Sequence, residues 1–375
     1  MKVLLTGGGT GGHIYPALAV ARRLQEMETD VELLYVGTSR GLESSIVPKE
    51  GIPFKAIEIE GFKRQFSFSG LKYNLKSVGL FLKSINAAKK IIREFNPDVV
   101  LGTGGYVSAP ICYVASKQGI ATVVHEQNSF LGLTNKFLIR YIDRLAISFQ
   151  DIYEQVGEYK NKVVFTGNPR AQEVNSADLP MVDHIYGLDI TKPIALIFGG
   201  SRGAPKINQA VVEAYPILRT RDYQIIFVPG NRHYEKVHNE LEAISPLEQN
   251  PHFVVKPYID DMIDVLRNVS LIVSRSGATT IAEITVLGIP SVLIPSPNVT
   301  EDHQTKNAMS LVHNEAAILL KEENLNGETL LNTLDELMNH ADRRGFMSQR
   351  ARELGEPYAT DQLIQVMLDE MKKKK

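Results

Sequence analysis

Short apolar runs, separated by longer amphipathic stretches, set the rhythm of the first half of the chain. They predict strands at Val3–Leu5, Val31–Val36, Phe54–Ile57, Val99–Leu101, Thr122–Val124, Leu145–Ile147 and Val163–Phe165. Between them, stretches such as Tyr15–Met27 and Leu71–Phe95 repeat apolar residues at helical spacing. Buried β runs alternating with helices predict a parallel sheet covered on both faces. From Asn168 to Lys192 the rhythm lapses into polar, weakly patterned sequence. It restarts at Pro193 with IALIFGGSRGAPKIN, a strand, a double glycine and a helix start. Further strands are expected at Gln224–Val228, Phe253–Val255, Leu271–Val273 and Val292–Ile294, with a closing amphipathic helix over Tyr358–Met371. The chain reads as two similar α/β units in tandem with a boundary near Gly167. Open parallel sheets bind ligands outside the carboxyl ends of their strands. Two such sheets facing each other would make a cleft, and both glycine turns would open into it.

Composition narrows the class. With 375 residues, 43% hydrophobic and 22% charged, the chain has the make-up of a soluble globular protein of two domains. A net charge of -2 offers no global basic field, and no zinc-finger spacing is present, so nucleic acid is not an expected partner. Cys112 is the only cysteine, which excludes an internal disulfide and a multi-cysteine metal site and fits a reducing cytosol. Only Val3–Leu5 separate Lys2 from the first glycine loop, too little for the apolar core of a signal peptide, so none is expected. The 18 residues Val99–Ser116 carry no charge, but Gly102, Gly104, Gly105, Ser108 and Pro110 interrupt them. A strand, a glycine turn and a helix are expected there rather than a membrane span.

Candidate chemistry gathers at the ends of the predicted strands. Five of the six residues Gly7–Gly12 are glycine, and His13 follows. Glycines let backbone N–H groups approach a diphosphate, and a helix N-terminus favours the anion. The loop formally matches G-x-G-x-x-G, yet the second strand ends in Val36-Gly37 without the acidic residue that a dinucleotide ribose wants. His13-Ile14 stands where a Walker loop needs Lys-Ser or Lys-Thr. His13 supplies an imidazole, the side chain whose ordinary titration falls near neutrality. GTGGYVSAP (Gly102–Pro110) is a second glycine turn, for which plain chain reversal suffices. HEQN (His125–Asn128) follows a strand and would present donors and acceptors suited to sugar hydroxyls, or form a polar loop. In the second half, GGSRG (Gly199–Gly203) and SRSGATTIAEI (Ser274–Ile284) again place small residues at helix starts. Glu283 lies within the second of these helices, as a ribose-diol acceptor or a surface residue. Asp260-Asp261 fits a helix cap better than a cation site.

TGGGTGGHIYPALA, GTGGYVSAP, HEQNSFLGLTNKFL, GNPR, GGSRGA, SRSGATTIAE and DHQTKNA, in this order, resemble the bacterial MurG family over nearly the whole chain. Its members are undecaprenyl-diphospho-muramoylpentapeptide N-acetylglucosaminyltransferases of GT-B fold, with two Rossmann-like parallel-sheet domains facing across a cleft. The resemblance implies inverting transfer of GlcNAc from UDP-GlcNAc to the C4 hydroxyl of the muramoyl sugar of lipid I, giving lipid II. It divides the chain into an acceptor and membrane-docking domain (1–166), a UDP-GlcNAc domain (167–345) and C-terminal helices (346–375) packing back on the first. It places the Ile259 backbone at the uracil, with Arg170 nearby, and Glu283 on the ribose diol. Ser201 and the helix start Ala278, Thr279, Thr280, Ile281 and Ala282 would hold the diphosphate. Gln304 and Asn128 would contact the GlcNAc. Thr10, Gly11 and Gly12 would lie where donor sugar and acceptor diphosphate converge. Some members carry Gln-Gln where this chain has His303-Gln304, so the sugar contact is carried to Gln304 and His303 is left as a substitute. No metal or other cofactor is implied, and the base is left open between His13 and Glu126.

Lipid I lies in a membrane. Across Gly61–Glu94, Lys63, Arg64, Lys72, Lys76, Lys83, Lys89, Lys90 and Arg93 oppose a single acid, Glu94, with Phe62, Phe66, Phe68, Leu71, Tyr73, Leu75, Leu80 and Phe81 interleaved. Such a segment suits an anionic membrane surface, and equally an amphipathic helix with a solvated basic face. The lipid acceptor favours docking at the cytoplasmic face of the bacterial membrane, and the family implies other cell-wall synthesis proteins as partners. Three other readings remain: another UDP-sugar enzyme of this fold, such as a 2-epimerase or glycolipid glucosyltransferase; an NAD-dependent oxidoreductase, against which Gly37 argues; and a non-catalytic nucleotide-sugar-binding subunit.

Overall fold

Lys2–Thr6 (β1) is an apolar strand whose alternate residues feed two separate cores. Val3 and Leu5 pack with Ile14, Ala17 and Leu18 on one side, while Leu4 packs with Ile92, Val100 and Ile111 on the other. That alternation is the two-sided burial expected of a parallel strand. The computed structural model describes residues 1–27, 30–60, 68–175, 184–200, 203–299 and 302–374, without the side chains of 68–78 and 184. The chain separates into two compact units, Met1–Glu173 with Tyr358–Lys375, and Val174–Pro357.

In the first unit β1 is followed by Gly11–Met27 (α1), Glu32–Gly37 (β2), Glu43–Lys49 (α2), Phe54–Ala56 (β3), Phe68–Phe95 (α3), Val99–Gly102 (β4), Ser108–Lys117 (α4) and Ala121–Glu126 (β5). Leu133–Leu138 (α5), Arg144–Ile147 (β6), Val163–Phe165 (β7) and Pro169–Asn175 (α6) complete the run. The uncharged stretch Val99–Ser116 is therefore a strand, a glycine turn and a helix. The seven strands are all parallel, in the order β3-β2-β1-β4-β5-β6-β7. Strand order reverses between β1 and β4, where Thr6 pairs with Gly102. Both glycine turns of this unit thus leave the sheet side by side at its topological switch point.

The second unit begins with His184–Ile185 (β8) and Leu188–Asp189 (β9), a hairpin in the stretch whose sequence lacked a pattern. Ile194–Phe198 (β10), Pro205–Leu218 (α7), Gln224–Val228 (β11), Tyr234–Ile244 (α8), Phe253–Val255 (β12) and Met262–Asn268 (α9) follow. Then come Leu271–Ser274 (β13), Ala278–Leu287 (α10), Ser291–Leu293 (β14), His303–Val312 (α11), Ala317–Leu319 (β15), Gly327–Met338 (α12) and Ala341–Glu353 (α13). The sheet order β12-β11-β10-β13-β14-β15 again reverses beside its first long strand, between β10 and β13. Gly199-Gly200 and SRSG leave from that point. The last helix, Ala359–Lys374 (α14), belongs to the first unit. Its Leu363, Ile364 and Met367 complete the core that holds Val3 and Leu5, and Arg23 and Arg144 pair with its Asp361 and Glu370 at 2.7 and 2.8 Å. No helix among the described residues is long and apolar enough to cross a membrane.

Candidate active site

Half of the bare loop after β1 is explained by its own protein neighbours. A Cβ on Gly8 would stand 2.4 Å from a carboxylate oxygen of Glu43, which arrives from α2. Gly104, in the second glycine turn, has φ +108°, and a Cβ there would lie 2.7 Å from the His13 ring. The expectation of plain chain reversal at GTGG is therefore replaced: this turn is the wall against which His13 rests. Gly8 N–H donates to Gly104 O at 3.2 Å, and the Thr103 hydroxyl donates to His13 O at 2.7 Å, locking the two turns together. Gly9 and Gly12 are different, with no protein atom inside 3.4 Å of where a Cβ would sit. Gly11 and Gly12 open α1, where first-turn N–H groups have no earlier helical carbonyl to meet. The Gly9 N–H is already taken by Glu43 at 2.9 Å, so it is the start of α1 at Gly11 and Gly12 that can face an anion.

His13 is half-buried, and its Nδ1 lies 2.8 Å from Gly8 O and 3.3 Å from Thr10 Oγ1. A carbonyl only accepts, so Nδ1 carries the proton. In the neutral ring, Nε2 then holds the lone pair and is the available base.

HEQN is only in part the polar loop that its sequence allowed. β5 extends through Glu126, so His125 and Glu126 are strand residues, 0% and 3% exposed. His125 Nε2–H donates to Gly167 O at 2.9 Å, and its Nδ1 accepts from Gln127 Nε2 at 3.0 Å. Burial pushes its pKa down to about 4, against a smaller opposing effect of the Gly167 bond. Gln127 also donates to Thr103 O at 2.8 Å, tying HEQN to the glycine turns. The Glu126 carboxylate accepts from Gly132 N–H at 2.9 Å, Asn135 Nδ2 at 2.8 Å and Asn128 N–H at 3.2 Å. It holds its own loop and sets the position of Asn128. Arg170 lies in the first unit on α6, donating to Glu173 at 2.6 Å with its guanidinium 6.0 Å from the Tyr15 ring centre.

In the second unit the N-terminus of α10 stands at the β10/β13 switch point, with Gly277 as its cap and Ala278, Thr279 and Thr280 in its first turn. Ile281 and Ala282 are buried in that helix, and Glu283 is 8% exposed. The Ser276 hydroxyl donates to Gln304 O at 2.8 Å, and Asn307 Nδ2 donates to Ser276 O at 3.2 Å, stitching this turn to α11. Gln304 Oε1 accepts Ser296 N–H at 2.8 Å, so what this side chain offers a sugar is its amide N–H donors. Ile259 is buried at the loop before α9. Asp261 sits at the cap position of α9, but its side chain makes no cap bond and accepts instead from Tyr186 OH at 2.7 Å, correcting the capping expectation. Ser201 lies outside the described residues, as do Phe62, Lys63, Arg64, Phe66 and the tail residue Lys375. The side chains of Phe68, Leu71, Lys72, Tyr73, Leu75 and Lys76 are likewise outside them.

Two Rossmann-like parallel sheets, each with a glycine turn and a helix N-terminus at its switch point, make up the GT-B fold of nucleotide-sugar enzymes. The profile of the glycosyltransferase family 28 N-terminal domain matches residues 3–147, and that of the family 28 C-terminal domain matches residues 194–363. A Latilactobacillus sakei protein named UDP-N-acetylglucosamine--N-acetylmuramyl-(pentapeptide) pyrophosphoryl-undecaprenol N-acetylglucosamine transferase is 51% identical over 366 residues, 97% of this chain and 99% of its own. The crystal structure of Acinetobacter baumannii MurG superposes with a TM-score of 0.75 at 26% identity, covering 98% of this chain and 99% of that one. A Neisseria meningitidis UDP-GlcNAc 2-epimerase shares the fold alone, with a TM-score of 0.66 at 14% identity over 98% and 100% of the two chains. The chain belongs to glycosyltransferase family 28 and, within it, to the MurG family of N-acetylglucosaminyltransferases.

Proposed function

We infer that this protein transfers GlcNAc from UDP-GlcNAc to the C4 hydroxyl of the MurNAc-pentapeptide of lipid I, inverting the anomeric centre and giving lipid II for peptidoglycan synthesis. The observation that carries the reading is the whole-length likeness to a transferase of that name. It favours transfer over the epimerase and binding-subunit readings, which share only the fold.

We read the reaction as a one-step displacement. His13 Nε2 takes the proton of the acceptor hydroxyl as its oxygen bonds to C1 of GlcNAc. The C1–O bond to UDP breaks, and UDP leaves with the electron pair. The first-turn N–H groups of α10 neutralise that charge from a fixed position, with Ser201 completing the diphosphate site. Glu283 takes the ribose diol, the Ile259 backbone the uracil, and Gln304 the GlcNAc hydroxyls. Arg170 also serves the nucleotide, oriented by Glu173. In the first unit, Thr10 and the N–H groups of Gly11 and Gly12 receive the acceptor diphosphate, and Asn128 the donor sugar. Glu126 is assigned to holding the Asn128 loop, because its oxygens are already occupied by that loop.

We propose further that the protein works at the cytoplasmic face of the bacterial membrane, bound to its anionic surface alongside other cell-wall synthesis proteins. On the described part of α3, Leu82 is 59% exposed, and on α5 Leu133 is 57% exposed. These are apolar contacts that a bilayer surface would cover. Lys83 and Lys90 pair there with Glu58 and Glu94, so the basic face carries partners of its own. Incubation with UDP-GlcNAc and a short-chain lipid I analogue, with mass analysis of the product, tests the main reading. A disaccharide-pentapeptide product supports it; epimerised UDP-sugar, or unchanged donor, overturns it.

A further inference from the structure

We propose that Glu43 is a positioning residue for the base His13, acting through the Gly8–Gly9 peptide unit. The inference rests on the reading of His13 as the base. Gly8 C=O and Gly9 N–H are the two ends of one planar amide. Glu43 Oε2 accepts the Gly9 N–H at 2.9 Å, and the Gly8 oxygen accepts His13 Nδ1–H at 2.8 Å. Carboxylate, amide and imidazole thus form one continuous chain. A hydrogen bond to an ionised acceptor at one end of an amide polarises it and strengthens the acceptor at the other. The consequence is a ring held as the Nδ1–H tautomer, with Nε2 free to take a proton. This is the logic of a base oriented by a carboxylate, with a peptide inserted between the two.

The site for this carboxylate is built. Glu43 is 0% exposed, and its other oxygen accepts Thr38 N–H at 3.0 Å and Thr38 OH at 2.7 Å. A Cβ on Gly41 would fall 2.2 Å from its oxygens, and one on Gly37 would fall 2.5 Å from its Cγ. Burial pushes the carboxyl pKa up, but the donors at Gly9 and Thr38 outweigh it and hold the group below its ordinary range, as an anion at neutral pH. The second strand lacks the acid of a dinucleotide fold, and α2 delivers one beneath the loop instead. Among the described residues, the other titratable groups that reach this loop are Tyr35 of β2, which donates to Gly7 O at 3.0 Å, and Tyr15 of α1, whose ring lies 3.1 Å from a Gly11 Cβ position. Arg170 faces Tyr15, and His125 of β5 joins through Gln127 and Thr103.

Nitrogen-15 NMR of histidine-labelled full-length protein, at a pH where the ring is neutral, reads the tautomer directly. The expected result is Nδ1–H in the wild type and a shift toward Nε2–H in Glu43→Gln. Turnover should fall on the order of tenfold, less than the about 10²–10⁴-fold that a general base itself contributes, while KM for UDP-GlcNAc changes by less than about twofold. Tyr35→Phe loosens the same loop without removing charge and should keep Nδ1–H. An Nε2–H ring in the wild type overturns the proposal, and that result stands even if Glu43→Gln does not fold. So does the same tautomer shift in both variants, or unaltered turnover in Glu43→Gln. Full turnover in His13→Ala would instead remove the base reading, and the tautomer would still judge the relay.

Discussion

His13 gathers the consequences of the fold at one nitrogen. If its Nε2 takes the acceptor proton, His13→Ala lowers kcat by about 10²–10⁴-fold, with little change in KM for UDP-GlcNAc, as steady-state kinetics would read. Glu126→Gln should behave otherwise. It replaces a buried acceptor of several N–H bonds with a mismatched amide and costs about 1–3 kcal/mol of stability, seen as a lower midpoint in urea. A kcat loss as deep as that of His13→Ala, in protein of unchanged stability, would return Glu126 to the role of base. Gly104→Ala forces a Cβ against the His13 ring at φ +108°. Strain of about 1–3 kcal/mol is expected there, with turnover lost more than stability, whereas Gly12→Ala meets no close protein atom. The glycine loops, His13 and the helix starts were legible as motifs. Glu43 was not, because it comes from a different helix and its fit depends on glycines that only the folded loop brings around it. HEQN was legible as a polar set that could meet sugar hydroxyls or form a loop, but the burial of His125, Glu126 and Gln127 was not. Polar residues at the end of a strand look like loop until Gly167 O and Gln127 are found satisfying a buried imidazole.

Among elements, the long parallel strands could be read directly, because a strand buried on both faces is a continuous apolar run. The β8–β9 hairpin and β15 were missed. The hairpin strands have two residues each, too short for any period, and the turn rests on Tyr186 at φ 51° and Gly187 at φ 81° rather than on a hydrophobic pattern. Strand order was not legible either, since it depends on which neighbours pair, yet it is what puts two glycine turns together at each switch point. Helix α14 makes a prediction at this scale. Leu363, Ile364 and Met367 are at most 1% exposed in the first unit's core. Each such side chain contributes about 1.5–3 kcal/mol on burial, an upper estimate, against a total of about 5–15 kcal/mol for a domain. Ending the chain before Tyr358 should therefore unfold the first unit while leaving the melting of Val174–Pro357 in place. Calorimetry showing both transitions unchanged would contradict the assignment of α14 to the first core.

For the whole molecule, His125 sets an acid limit. Its folded pKa lies near 4, below the ordinary 6.5, so above about pH 6.5 neither state binds the proton and stability is full. As pH falls from about 6.5 toward 4, the unfolded chain takes up a proton that the native ring refuses, and on the order of 3 kcal/mol is lost. Urea midpoints across that range should fall in the wild type and fall less in His125→Gln; parallel slopes would show that this ring does not carry the effect. Glu43 adds a separate loss at lower pH: as pH falls below the ordinary glutamate range the unfolded carboxylate takes up a proton that the native one, held below that range, still refuses, and the loss is complete once the native carboxylate is protonated too. At this scale the central expectation is that two diphosphate-bearing substrates react by direct inverting transfer. The most direct test is the linkage of the product made from UDP-GlcNAc and a short-chain lipid I analogue, read from the anomeric proton coupling alongside UDP release. UDP release only when the analogue is present, and a β-linked disaccharide, are the expected results. UDP-GlcNAc binding without acceptor-dependent release, or an α-linked product, would contradict that expectation.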